Sequence, residues 1–157
     1  MENQVESQVK QAQFQYLQNK DSYIECITIP GILAATSTSY SYVLTARTVA
    51  LEIIAVGAKW ETKGTDAGAR LDVLKVPNGT AISGGTSILT TTFDIGSGSA
   101  NNTWVYKEGA ALKTTRGIRY LKYGESIALS TGATTITTVA GVHVCIYYRP
   151  ANNGTYR

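Results

Sequence analysis

Residues 139–149 alternate strictly, with Val142, Val144, Ile146 and Tyr148 facing one way and His143, Cys145 and Tyr147 the other. Period-two alternation of this length predicts a β-strand with one face on a core. Residues 49–62 are longer and more apolar. Simple alternation puts Leu51, Ile53 and Ala55 on one face and Ile54, Val56 and Trp60 on the other, in a central strand or one that bends at Gly57. Residues 69–76 set Leu71, Val73 and Lys75 against Arg70, Asp72 and Leu74. Shorter strands are predicted at 23–29, 36–44, 87–93, 103–107, 119–123 and 126–130. Glycine, proline, aspartate and asparagine punctuate them at 64–68, 77–79 and 94–102. About eight short strands at this spacing predict an all-β fold, a single antiparallel β-sandwich or barrel.

The first 22 residues break this pattern. Every glutamine of the chain lies there (Gln4, Gln8, Gln11, Gln13, Gln15, Gln18), with no glycine or proline. Val5, Val9, Ala12 and Tyr16 follow helical spacing, and Phe14 and Leu17 add to the apolar content. The stripe is too short to be a stable isolated helix. It reads as a helical or extended arm that docks on its own domain or on a neighbour, with a disordered tail as the plain alternative. The division is then an arm at 1–22, a sandwich at 23–150 and a tail at 151–157.

Composition agrees with the strand pattern. The chain has 157 residues, 43% hydrophobic and only 16% charged, where globular domains usually carry about 25% charge. That length fits one domain. Net charge is +3, short of a nucleic-acid footprint. The basic positions Lys107, Lys113, Arg116, Arg119 and Lys122 read as spaced charges that blunt a sheet edge. No stretch is apolar enough for a membrane helix, and the start has no signal-peptide pattern, which points to synthesis in a cytoplasm. Cys26 and Cys145 each lie in an apolar strand-like run. They are expected as buried free thiols, with a disulfide between first and last strands as the weaker alternative.

The candidate chemistry is sparse. His143 is the only histidine and sits mid-strand, so a local hydrogen bond is the expected role. No nucleophile-elbow, Walker or paired-carboxylate pattern is present. Asp66 and Asp94 stand alone in their loops, against the clustered acids that calcium prefers. No catalytic residue, metal or cofactor is therefore expected. The aromatic side chains are more suggestive. Among Tyr40, Tyr42, Trp104, Tyr106, Tyr120 and Tyr123, near strand ends or loops, the first four are the candidates for a surface that binds protein or sugar. Cross-strand packing is the plainer reading.

Residues 45–149 also resemble small jelly-roll-like β-sandwich proteins of tailed bacteriophages, the head decoration, cement or auxiliary capsid proteins. The resemblance rests on the apolar strand 50–56, the run Asp66-Ala-Gly-Ala-Arg-Leu-Asp-Val-Leu-Lys75, the segments 88–95 and 123–129, and the closing strand 139–148. It implies a structural virion protein on the outer capsid surface, an oligomer (a homotrimer) bound to the major capsid protein or other virion proteins, with no nucleic-acid or membrane partner. The arm residues Val5, Val9, Ala12, Phe14, Tyr16 and Leu17 would be the capsid contact. A carbohydrate- or receptor-binding module of a head fibre or tail is the other reading.

Overall fold

A computed structural model describes residues 22–33, 42–115, 117–131, 136 and 138–151. The candidate arm and Tyr40 lie outside these residues. Among the described residues ten strands form: β1 (Tyr23–Ile32), β2 (Tyr42–Thr45), β3 (Leu51–Thr62), β4 (Arg70–Val76), β5 (Thr86–Ser87), β6 (Phe93–Asp94), β7 (Val105–Glu108), β8 (Tyr120–Leu121), β9 (Ser126–Thr131) and β10 (Ala140–Pro150). They make two antiparallel sheets. The first runs β1-β10-β3-β7, with β8 also on β3; the second runs β2-β9-β4-β5, with β6 also on β4. The all-β sandwich expected from the alternation is what forms.

The strand order has a simple origin. The pairings β4–β5, β3–β7, β2–β9 and β1–β10 are those of one long antiparallel hairpin. Successive strands of each arm fall in alternate sheets, which rolls the hairpin into a sandwich. Counting β5 with β6 and β7 with β8 as interrupted strands gives eight, in jelly-roll order. The predicted strand at 87–93 is instead two short pieces, β5 and β6, joined by an irregular stretch that touches the neighbouring loop through a Leu89–Leu112 bridge.

The core lies between the sheets. Ile53, Val56, Trp60, Val142, Val144 and Ile146 come from the first sheet; Leu71, Val73, Phe93, Ile127 and Leu129 come from the second. Trp60 is the largest fully buried side chain, and its indole N–H donates to Ser99 Oγ at 3.1 Å. That bond satisfies the one polar atom the indole takes into the core.

Two sequence expectations are corrected here. Simple alternation along residues 49–62 put Ile53 opposite to Val56, yet both are fully buried in the main core. The cause is a register shift: Tyr148 pairs with Ile53 and Tyr147 with Ala55, so Ile54 is an extra residue on β3. A bulge of this kind flips the facing of everything beyond it. Leu51 and Ile53 face inward before it, and Val56, Ala58 and Trp60 face inward after it. Ala55 moves to the outer face, with Cys145 and Tyr147. The second correction concerns the cysteines. Cys26 and Cys145 are directly opposed on β1 and β10, with Cα atoms 4.1 Å apart, and form a disulfide. Apolar strand context alone suggested free thiols. Only the pairing of the first and last strands brings them together.

This bridge closes 119 residues of chain. Its loss is expected to lower stability by about 2–5 kcal/mol. Urea unfolding with and without reductant, and of Cys26→Ser/Cys145→Ser, measures this; identical midpoints would mean the thiols are not paired.

Candidate binding face

The outer face of the first sheet carries the most organised exposed chemistry of the described residues. Register sets its rows. Thr28, His143 and Lys59 stand side by side; then Cys26, Cys145, Gly57 and Tyr106; then Ile24, Tyr147, Ala55 and Glu108; and, past the bulge, Arg149, Glu52 and Tyr120. Trp104, two residues before Tyr106, extends the face beyond β7. The result is an aromatic and aliphatic centre between two polar margins.

The centre is built around Gly57. A Cβ there would lie 2.8 Å from Tyr106 Cε1 and 3.5 Å from Trp104 Cε3. Any side chain at this position would occupy the space of the Tyr106 ring. Without one, the ring packs directly against the glycine. Trp104 stacks beside it, with centroids 6.0 Å apart and planes 21° from parallel. Tyr147 meets Tyr106 edge-on, with centroids at 6.2 Å. Lys59 Nζ sits 5.5 Å from the Trp104 ring centre, a cation–π contact. Trp104 and Tyr106 remain 38% and 52% exposed, and Ile24 is 41% exposed. Tyr147, beneath them, is buried. Its burial, and then the adjacent Tyr106 hydroxyl, push the Tyr147 phenol up to about 12.

At one margin Glu52 is nearly buried and fully engaged. Arg149 donates to Oε2 from Nε at 2.8 Å and lies within 2.7 Å through Nη2. Arg119 Nη2 stands 3.3 Å from Oε1, and the Tyr120 hydroxyl donates to Oε1 at 3.1 Å. A carboxylate with so little exposure is tolerated only with such partners. At the other margin, Thr28 Oγ1 and His143 Nδ1 share a hydrogen bond of 2.9 Å, and His143 Nε2 lies 3.5 Å from Glu61 Oε1. Gly141, at φ +60°, leaves room for the Glu61 carboxylate, which a Cβ would meet at 2.5 Å.

The Thr28–His143–Glu61 chain has the residue types of a nucleophile, base and acid. It lies on an open sheet face, where backbone N–H groups run in the sheet plane. Such chemistry needs a pair of donors converging above Thr28 to hold an oxyanion, and backbone groups lying in the sheet plane do not supply one. The expected local hydrogen bond of His143 is the one observed. Asp66 and Asp94 are used locally: Asp66 Oδ1 accepts from Gly68 N–H, and Asp94 Oδ1 from Gly96 N–H and Arg70. No group of three or more metal-ligating side chains occurs among the described residues. A cleft of about 340 Å³ between β4 and the 117–125 loop is lined by Lys75, Ile118, Tyr120 and Glu125. There Lys75 is bound to Glu125, at 2.8 Å, and to the Gly117 and Tyr120 carbonyls. Of the basic positions, Lys107 lies over the Phe93 ring and Arg119 is held by Glu52, while Arg116 lies outside the described residues.

Of the four aromatic candidates, the structure unites two, Trp104 and Tyr106. Tyr42 lies on β2 of the other sheet, half exposed, and Tyr40 is outside the described residues, as are Val5, Val9, Ala12, Phe14, Tyr16 and Leu17. Sequence reasoning missed Tyr147, Ile24 and Gly57 as parts of the face. The alternation of β10 already set Tyr147 beside Cys145 and away from Val144, but nothing local told which strands would flank it.

No protein-family model matches the chain, and no curated protein matches it. Among solved structures, the chain is similar to the capsid asymmetric unit of cyanophage Pam1, with 11% identity, a TM-score of 0.48, and coverage of 83% of this chain and 84% of that one. A likeness of that degree assigns no function.

The phenol of Tyr147 makes stability depend on alkaline pH. Above pH 10 the unfolded chain releases this proton, whereas the folded chain keeps it to about 12, so stability falls as pH rises through that window. Tyr148, also raised by burial, acts in the same direction. Urea midpoints measured from about pH 9 to about pH 12 should fall for the native chain and fall less for Tyr147→Phe.

Proposed function

We propose that this chain is a structural, non-catalytic component of a phage particle that binds the outer capsid surface as an oligomer and reinforces or decorates the head. The observation that carries this reading is the outer face of the first sheet. Its aromatic centre is exposed and preorganised, and its margins carry the Glu52 ion pairs and the Thr28–His143 hydrogen bond. A surface with an apolar centre and polar rim is suited to association. Jelly-roll sandwiches serve in viral capsids and in lectins, and the resemblance of residues 45–149 to phage decoration proteins favours the first. In this reading the arm supplies the capsid contact through Val5, Val9, Ala12, Phe14, Tyr16 and Leu17.

Sedimentation with purified capsid shells tests it. The full chain should pellet with shells, and Val9→Asp/Tyr16→Asp should stay in the supernatant while keeping its β-sheet circular dichroism. A chain that never pellets with shells contradicts the reading.

A second reading is favoured by one specific feature, the near-parallel Trp104 and Tyr106 rings with polar groups on both sides. Flat, exposed aromatic faces can stack on sugar rings. If the face takes a glycan, Trp104→Ala should weaken binding to an immobilised polysaccharide by at least about tenfold, the effect of ~1.4 kcal/mol, without altering capsid pelleting. No binding by the native chain removes this reading.

A further inference from the structure

Among the described residues no strand pairs with the outer edge of β1, and this free edge is unlike the other edges of the sandwich. Strands β2, β5, β6, β7 and β8, which end the two sheets elsewhere, have two to four residues each. Short edge strands are a common protection against unwanted pairing. Strand β1 has ten residues, Tyr-Ile-Glu-Cys-Ile-Thr-Ile-Pro-Gly-Ile, with Glu25 its single charge. Its two protective features, Pro30 and the register irregularity between Ile29 and Ile32, both lie at one end. Residues 23–28 are left unguarded, with Tyr23 54% and Ile24 41% exposed.

Which backbone groups point to the free edge follows from two independent observations. Opposed residues in an antiparallel ladder are close when they do not hydrogen-bond to each other, at about 4.5 Å between Cα atoms, and about 5.5 Å apart when they do. Cys26 and Cys145 are 4.1 Å apart, so the backbone polar groups of Cys26 point away from β10. Separately, the Trp60 carbonyl accepts from Asn102 N–H, so Trp60 faces the β7 side. By alternation Gly57 and Lys59 then face β10, Cys145 and His143 face β3, and Cys26 and Thr28 again face outward. Ile24, Cys26 and Thr28 therefore offer N–H and C=O to the free edge. The same alternation turns the Pro30 nitrogen outward, which explains how a proline is accommodated in this strand.

We infer that this edge pairs with the β1 edge of a second copy, antiparallel about a two-fold axis at Cys26, joining the first sheets of two subunits. The strand is complementary to itself in this arrangement. Ile24 lies opposite Thr28 of the second copy, and Cys26 opposite its equivalent, so each facing pair exchanges both main-chain hydrogen bonds. On the other side of the strand Glu25 faces Ile27 and Tyr23 faces Ile29, so no like charges meet. Pro30, lacking a donor, falls at the end of the ladder, opposite Ser22. Pairing also covers Tyr23 and Ile24 and makes the outer aromatic face continuous across the dimer. This goes beyond capsid attachment and does not depend on it; it specifies a two-fold where the resemblance implies a trimer.

Sedimentation equilibrium of the full chain tests it. The expected particle has twice the 16.8 kDa chain mass. Ile24→Pro/Thr28→Pro removes two outward donors and leaves the odd-numbered bonds to β10, so it should sediment at the monomer mass with an unchanged circular dichroism spectrum. Ile24→Lys, which puts a charge on the edge without altering the backbone, should weaken the dimer in the same direction if the proline variant fails to fold. Amide exchange supplies a further readout: Ile24, Cys26 and Thr28 should be protected at concentrations where the dimer forms and exchange rapidly on dilution. A monomer at all concentrations, a trimer, or a dimer that both variants leave intact overturns the inference. So does concentration-independent protection of those amides in a monomer, which would place the chain's own first residues on the edge.

Discussion

One extra residue on β3 decides what both faces of the first sheet carry. Ile54 is inserted between Ile53 and Ala55 against a β10 that runs without interruption. Because strand side chains alternate, the insertion moves Val56, Ala58 and Trp60 into the core and Ala55 and Gly57 out of it. Without it, either Ile53 or Trp60 would face water, at a cost of roughly 1.5–3 kcal/mol or more for each large apolar side chain left exposed. The outer face depends on the same insertion. Gly57 is outward only because the alternation has flipped, and Tyr106 closes on it only because residue 57 has no side chain.

A second constraint holds the other edge of this sheet. The Cys26–Cys145 bridge fixes β1 to β10 at a single register. A one-residue slip there would turn Ile27 and Ile29 from the core to the outside and reverse which β1 amides point to the free edge. Register, more than any single contact, thus connects the core, the aromatic face and the pairing edge. The margins of the face use charge differently. Glu52 is enclosed by two arginines and a tyrosine and ties β3, β8 and β10 together, whereas His143 and Glu61 are more open and contribute less.

Much of the sandwich was legible in the sequence because strand periodicity is local. The two faces of β10 were read correctly from alternation alone, since no irregularity interrupts the facing of its residues 142–148. Residues 49–62 were correctly read as a long central strand, but their facing was not, because a bulge is set by the partner strand and leaves no local mark beyond a run of apolar residues. The disulfide ranked only as the weaker alternative for a related reason: whether Cys26 meets Cys145 depends on the first strand lying beside the last. Trp104 and Tyr106 were picked out by residue type, but grouped with Tyr42, which the topology places on the other sheet. Tyr147 and Gly57 complete the face through non-local pairing that no window of sequence contains.

The account therefore stands on the bulge at Ile54, and nuclear Overhauser spectroscopy of the labelled protein addresses it most directly. The bulge predicts contacts from the outward Gly57 α-proton to the Tyr106 ring and from the Ala55 methyl to the Tyr147 ring. Contacts from the Ala55 methyl to Ile53 and the buried leucines of the second sheet, with none to Tyr147, would mean that β3 alternates without interruption and would contradict the account.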